Sequence, residues 1–362
     1  MLHDVMGCIR TFLAVTVLFG HSYGHVFTGP ALAVQVFYLI SGFLISFVLT
    51  EAGNYKRASS FYVNRILRLF PVYWAVAAGT LVTLVVADVV MKNSPPAFDV
   101  FRAIDANGKW SLAATNLFIF GQDWIMFTGV HDDTFHFVTD FRDSDLPVWK
   151  GLLIPPAWTL GVELSFYVVA PFILFRPKLM MSLLAVSLLL RVALIFYGLG
   201  LDDPWTYRFF PTELALFLLG AFSHQYWMPW LYKREHLTIA NAVIATGTLV
   251  ILCCSFAYLP MKGVSWVAFL VLAVLSLPFL FTFQRSFRWD RRVGELSYPI
   301  YIAHWSILYP VSFLWDRALE TKNYKGLDET ILVLLLTIAA AVILNRFIAR
   351  PVENVRRSFR NG

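Results

Sequence analysis

Four ionisable side chains stand inside long apolar runs of this chain: His21, Glu163, Arg191 and His304. On insertion scales a charged side chain at the middle of a membrane helix costs about 2.5–3.5 kcal/mol, so each needs a partner or a task. Arg10 and His21 say most as a pair. Eleven residues apart, they are separated by three helical turns plus about 20°, so they share a face, about 16 Å apart along the axis. A guanidinium at one mouth and an imidazole deep inside suit a long ligand with an anionic head and a reactive tail. Imidazole exchanges a proton near neutral pH and is the natural general base. Taken alone, a snorkelling arginine and a hydrogen-bonded histidine give the same pattern.

Arg65 and Arg68 form an Arg-x-x-Arg step that puts two guanidiniums on one helical face. Such a step serves as a topology signal, binds lipid phosphates, or clamps the phosphates of a cofactor. Ser41 and Ser297 have nucleophilic hydroxyls but no base nearby in sequence. Ser41-Gly42 suits close helix approach or backbone contact with a ligand arm, and Ser297 suits a helix N-cap. His304 shares its segment with Tyr298 and Tyr301 and reads as a structural or pocket-lining group. Arg191 lies at a depth similar to His21 and would meet Glu163, Glu213 or an oxyanion. The run His131-Asp132-Asp133-x-x-His136 fits no standard zinc spacing, so no metal site is expected. A Gly-rich phosphate loop is also absent.

These residues need a scaffold, and composition fixes its class. Of 362 residues, 58% are hydrophobic and 14% charged, whereas soluble domains carry about 25% charged and 45–50% apolar. Continuous apolar runs rather than alternating ones exclude a β-barrel. The expected fold is an all-α polytopic membrane bundle of about ten transmembrane helices. They fall roughly at 9–27, 31–50, 70–90, 155–175, 179–198, 209–226, 239–258, 264–283, 294–315 and 329–349. Lys56, Arg57, Arg65, Arg68, Arg176, Lys178, Lys233, Arg234, Arg285, Arg288, Arg291, Arg292, Arg350, Arg356, Arg357 and Arg360 gather on one side. That side, with both termini, is assigned to the cytoplasm.

The long connection, about 91–154, is then an acidic extracytoplasmic cap with Asp132, Asp133, Asp140, Asp143 and Asp145. Within it, 112–127 is apolar but interrupted by Asn116, Gly121, Gln122 and Asp123, and reads as an interfacial or re-entrant segment. A single transmembrane domain fills 1–362, with no appended soluble domain. The first apolar segment carries Arg10 and His21 and lacks a small-residue cleavage site, so it stays in the mature chain. Cys8, Cys253 and Cys254 give no disulfide framework. A net charge of +6 without a long basic run makes nucleic acid a poor partner.

Taken in order, five blocks resemble the membrane-bound acyltransferase family 3, bacterial inner-membrane enzymes that O-acylate cell-surface carbohydrates. They are Arg10-x10-His21; Val34-Gln-Val-Phe-Tyr-Leu-Ile-Ser41-Gly42-Phe-Leu-Ile; Arg65-x-x-Arg68 closed by Pro71; Trp158-Thr-Leu-Gly-Val-Glu163 continuing to Tyr167 and Pro171; and Ser297-Tyr298-x-x-Tyr301-x-x-His304. Together they run over nearly the whole chain. Two positions depart: Gly7 stands where the family often has Asp, and Leu164 where a second acidic residue frequently follows.

The resemblance implies transfer of an acyl group, usually acetyl, from a cytoplasmic acyl-CoA co-substrate to a hydroxyl of a surface or lipid-linked saccharide, with no permanently bound cofactor. Arg10, Arg65, Arg68, Ser41 and Gly42 would bind the donor. His21 would act as general base or, alternatively, as acyl carrier, with Glu163 at similar depth to orient it. Trp158, Tyr167, Arg191, Ser297, Tyr298, Tyr301 and His304 would line the pocket. Expected partners are the bilayer, the acyl-CoA, the carbohydrate and glycan-assembly proteins. The competing reading is a proton-coupled transporter, since buried His, Glu and Arg also describe a carrier; matched repeats and interrupted helices, which a carrier would show, are not evident in the sequence.

Overall fold

The computed structural model describes residues 6–358 apart from 25, 52–54, 56, 132–133, 201–202, 261 and 322–323. Lys56, Asp132, Asp133 and Arg360 lie outside the described residues. Helices form at each place where the apolar runs require them: α1 (Gly7–Ser22), α2 (Gly29–Ser46), α3 (Ala58–Val89), α7 (Trp158–Ile173), α8 (Pro177–Phe196), α9 (Phe210–Phe222), α11 (Ile239–Ser255), α12 (Lys262–Ser286), α14 (Ser297–Ala318) and α15 (Leu327–Leu344). Among the described residues, seven helical stretches are long and apolar enough to cross a membrane. Among the others, α1 is a shorter apolar helix. Short helices fill the connections: α4 (Pro96–Ala103), α5 (Ala106–Phe118), α6 (Gln122–Ile125), α10 (Met228–Lys233), α13 (Arg288–Gly294) and α16 (Arg350–Ser358).

The chain is helical throughout its apolar runs, in keeping with the all-α membrane reading, and adds one small non-helical element. The 91–154 connection carries a small antiparallel sheet, β1 (Thr128–His131), β2 (Thr134–Phe137) and β3 (Leu146–Pro147), in the order β2-β1-β3. Its apolar stretch 112–127 is broken. Ile119 and Gly121 take positive φ (63° and 84°) between α5 and α6, and neither helix is long enough to cross. Trp110, Leu117, Phe118, Phe120 and Trp124 are exposed there, as in a segment lying along an interface.

Small residues let α2 and α9 approach backbone to backbone. On α2, a Cβ at Gly42 would overlap the Phe217 carbonyl of α9, and one at Gly220 on α9 would overlap the Leu39 carbonyl of α2. Lipid gives no hydrophobic drive between helices, so this backbone approach supplies the packing. Gly42→Ala is therefore expected to part α2 from α9 and cost ~1–3 kcal/mol. A lowered thermal midpoint and a poorer monodisperse yield in detergent would register it. Outward faces of α3 and α12 present Leu81, Val82, Val85, Val264, Val267 and Val271, the apolar stripe expected against acyl chains.

Candidate active site

Five helices converge on one cavity of about 60 Å³. From α1 comes Arg10, from α2 Ser41, from α3 Arg65 and Arg68, from α7 Thr159, Glu163 and Tyr167, and from α14 Ser297, Tyr298 and Tyr301. Of the five proposed donor contacts, four line this one wall. Gly42 does not; it faces α9 and is a packing residue.

Arg65 is only 4% exposed. Its guanidinium lies 5.2 Å from the Phe61 ring centroid and 5.6 Å from that of Tyr167, and its Nε has no hydrogen-bond partner among the described residues. No carboxylate forms an ion pair with it among those residues. Stacking on rings offsets part of the desolvation of a cation, worth about 0.5–2 kcal/mol, but does not neutralise it. A second cavity of about 340 Å³ shares Arg10, Arg68, Ser297 and Tyr298 with the first. It widens past Arg291, Arg350 and Arg356 at the end where α3 and α14 begin. Arg350 is bonded to Glu295 (3.2 Å) and Arg356 to Glu353 (2.6 Å).

The sequence placed Glu163 beside the imidazole. Instead, its Oε1 accepts from the Ser41 hydroxyl and from the Tyr167 hydroxyl, each at 2.6 Å. Depth along a span is readable from residue counts, but the angle around the helix axis is not, and α7 turns this carboxylate toward α2. Glu163 thus fixes Tyr167, whose other face carries Arg65.

His21 is paired with His304: Nδ1 to Nε2 is 2.9 Å, with the rings stacked 5.2 Å apart. His304 Nδ1 lies 2.6 Å from the Tyr301 carbonyl oxygen. A carbonyl only accepts, so the neutral His304 carries its proton on Nδ1 and offers Nε2 as acceptor. His21 must then donate from Nδ1, which leaves its Nε2 as the basic lone pair. This tautomer assignment follows from the network. His304 therefore holds the orienting position that the sequence had given to Glu163. Arg10 and His21 do share a face of α1: the first lines the cavity together with Ser297 and Tyr298, the second pairs with His304, all three on α14. Neither imidazole lines the guanidinium cavity. Between them stands Tyr301, 5.8 Å from Phe37 and 6.0 Å from His304 by ring centroids. Its hydroxyl pairs with Thr159 Oγ1 (2.8 Å) and donates to the Pro156 carbonyl (3.0 Å).

Besides His304, two further expected lining residues fall elsewhere. Trp158 is buried beneath the Arg208 guanidinium at 4.3 Å. Arg191 binds Glu213 at 2.5 Å and borders a separate, mainly apolar cavity. A helper that sequence reading missed is Asp290. Gly7 and Cys8 donate their backbone N–H groups to its two carboxylate oxygens at 2.7 and 2.8 Å. A Cβ at Gly7 would overlap the Asp290 carbonyl, so α13 supplies the acidic group that position 7 cannot carry. Among the described residues no group of three His, Cys, Asp or Glu is placed to hold a metal. His131 instead bonds Asp145 at 2.8 Å on the surface.

Asp123, on α6 outside the spans, is 2% exposed with Oδ1 unpartnered among the described residues. It stands 2.6 Å from where a Cβ of Gly161 would be. Burial pushes its carboxyl up to about 7, against 3.8 for an ordinary aspartate, and backbone N–H donors offset only part of that. A folded state that holds a proton the unfolded chain has released loses stability as pH rises, here between about 4 and 7. At 1.36 kcal/mol per unit the full effect is at most about 4 kcal/mol. Asp123→Asn is expected to match wild type near pH 4 and to melt higher at pH 8. A scan of thermal midpoint against pH in detergent would check it.

Comparison with known proteins yields a match to the family described as "Acyltransferase domain" over residues 5–346. O-acetyltransferase OatA of Staphylococcus aureus strain NCTC 8325 is 23% identical over 376 residues, covering 95% of this chain and 56% of that protein. A protein of S. aureus strain COL, provisionally named an O-acetyltransferase, is 23% identical over 374 residues with the same coverage. An uncharacterised Aquifex aeolicus protein is 24% identical over 217 residues, 59% of this chain and 93% of that one. The chain thus spans about half the length of the staphylococcal relatives it matches. No solved structure matches.

Proposed function

The chain belongs to the acyltransferase domain family, and from that premise we propose that it is a multi-pass inner-membrane O-acetyltransferase. It takes an acetyl group from acetyl-CoA on the cytoplasmic side and transfers it to a hydroxyl of a saccharide at the outer face. One observation carries this reading: Arg10, Arg65 and Arg68 line a single cavity, and the most buried of them, Arg65, has no carboxylate partner among the described residues. A buried cation left without a counter-charge is costly to the fold, and an anionic ligand head offsets that cost.

In this reading the guanidiniums hold the CoA phosphates as charge-assisted hydrogen-bond donors. The pantetheine arm passes Ser41 and Glu163 and reaches the imidazole pair once Tyr301 and Phe37 part. His21 Nε2 takes the proton of the acceptor hydroxyl as its oxygen attacks the thioester carbonyl carbon. The C–S bond breaks, the ester forms, and the departing CoA sulfur receives the proton from the imidazolium. His304 keeps His21 in the reactive tautomer, and Glu163 positions the wall that carries Arg65. Ten crossings and cytoplasmic termini belong to the same proposal, because they bring the arginines to the acetyl-CoA side.

The test is glycan mass spectrometry on cells lacking the gene, rescued by wild type or by His21→Ala. Loss of an acetyl mass increment, restored by wild type alone, is the expected result. An unchanged glycan with altered solute uptake would point to a carrier instead.

A further inference from the structure

A pocket of about 170 Å³ lies between α3 and α14, at the ends of these helices away from the guanidinium cavity, and is roofed by α4 and the 149–155 segment. Its walls are mainly carbon, from Leu84, Ala97, Leu152, Leu153, Pro155 and Trp305. The hydroxyls of Thr80 and Ser306 bond to each other at 2.5 Å, and Thr83 donates to the Gly79 carbonyl of its own helix at 3.0 Å. Such walls suit a hydrocarbon chain.

One face of α14 leads to it. Tyr298, Tyr301, Trp305 and Tyr309 recur at steps of three and four residues, so they stand one above another. The first two line the guanidinium cavity and the last two line this pocket. On α3 the order is the same, with Arg65 and Arg68 at the cavity and Thr80 and Thr83 at the pocket. The imidazole pair lies between the two spaces, and neither ring lines the pocket. Trp305 does, and its ring also meets His21 edge-to-face at 5.4 Å. It packs into a small cluster with Leu18 of α1 and Val333 of α15, which holds the indole in place. A donor anchored at the arginines with its thioester at His21 therefore directs its acyl group at Trp305. We propose that Trp305 sets the acyl length: the indole stops the chain at acetyl and, when cut back, opens His21 to an apolar pocket that takes longer chains. The assignment rests on the acyltransferase reading and adds which residue measures the acyl group; the bonds made and broken at the thioester stay those of acetyl transfer.

Inverted membrane vesicles from cells lacking the gene keep their own acceptor, so they serve as the assay once wild type or a variant is expressed in them. They receive acetyl-, butyryl- or hexanoyl-CoA labelled in the acyl group, and label in the extracted glycan is counted. A methylene gained or lost in an apolar site changes selectivity about 10- to 200-fold. Wild type should thus prefer acetyl over butyryl by about tenfold or more. Trp305→Phe should move the optimum to butyryl. Trp305→Ala should move it to hexanoyl, with the hexanoyl-to-acetyl ratio raised about tenfold or more. Adding Ala97→Phe to Trp305→Ala refills the pocket from its roof and should return the preference to acetyl, which a merely loosened bundle would not do. Trp305→Phe keeps a ring beside Leu18, so it carries the comparison if the alanine variant fails to fold. Acetyl transfer with the same chain preference in wild type and Trp305→Phe, or wild type that uses hexanoyl-CoA as well as acetyl-CoA, overturns the assignment and leaves the enzyme standing. Wild type that transfers label from none of the three overturns the acyltransferase reading, and the assignment with it.

Discussion

His21→Ala is expected to lower acetyl transfer by roughly 10²–10⁴-fold, the usual contribution of a positioned general base, with acetyl-CoA affinity unchanged. The separation is expected because the imidazole lies outside the guanidinium cavity, beyond Tyr301. His304→Ala should give a smaller loss. It removes the acceptor at 2.9 Å that holds the His21 proton on Nδ1, so the ring samples the tautomer whose Nε2 cannot take a proton. His304→Gln restores a side-chain acceptor on that helix and should recover part of the rate, which a purely structural histidine would not predict. Initial rates with labelled acetyl-CoA, alongside equilibrium binding of the donor, resolve both effects. A His21→Ala protein with wild-type turnover would remove the imidazole from the mechanism.

What the sequence made legible follows from periodicity. The 3.6-residue turn told which residues share a face: Arg10 with His21 on α1, and Arg65 with Arg68 on α3, the latter two lining one cavity with Arg10. Periodicity says nothing about which helix lies opposite. Ser41 and Tyr167 as holders of Glu163, and His304 as the partner of His21, depend on rotation between helices distant in sequence. Gly42 was ambiguous for the same reason: its missing Cβ serves either a ligand or a neighbouring backbone, and the Phe217 carbonyl decides for the latter. Asp290 was hidden because a carboxylate capping α1 from a short helix 283 residues away leaves no local spacing to read. The broken 112–127 segment, by contrast, was announced by Gly121 and its polar neighbours.

Arg65→Met should separate stability from function. The guanidinium is buried on two aromatic rings, with no carboxylate ion-paired to it among the described residues. Exchanging buried ionic groups for apolar ones of similar size is often neutral or stabilising by ~1–4 kcal/mol, so the variant should melt no lower than wild type, and higher if the gain is realised. On the proposed donor site the same change removes a charge-assisted hydrogen bond to the CoA phosphates, worth about 1.5–3 kcal/mol, which corresponds to an expected 10- to 150-fold rise in KM for acetyl-CoA. Arg65→Lys keeps the charge but not the planar fork and should fall between the two. S-acetyl-pantetheine, which has the thioester arm without the phosphates, supplies the control: its transfer should be nearly the same in wild type and Arg65→Met. If both donors lose equally, Arg65 shapes the cavity rather than reading the anionic head. If the variant unfolds, the cation is bracing the bundle, and the trade between stability and donor recognition does not hold.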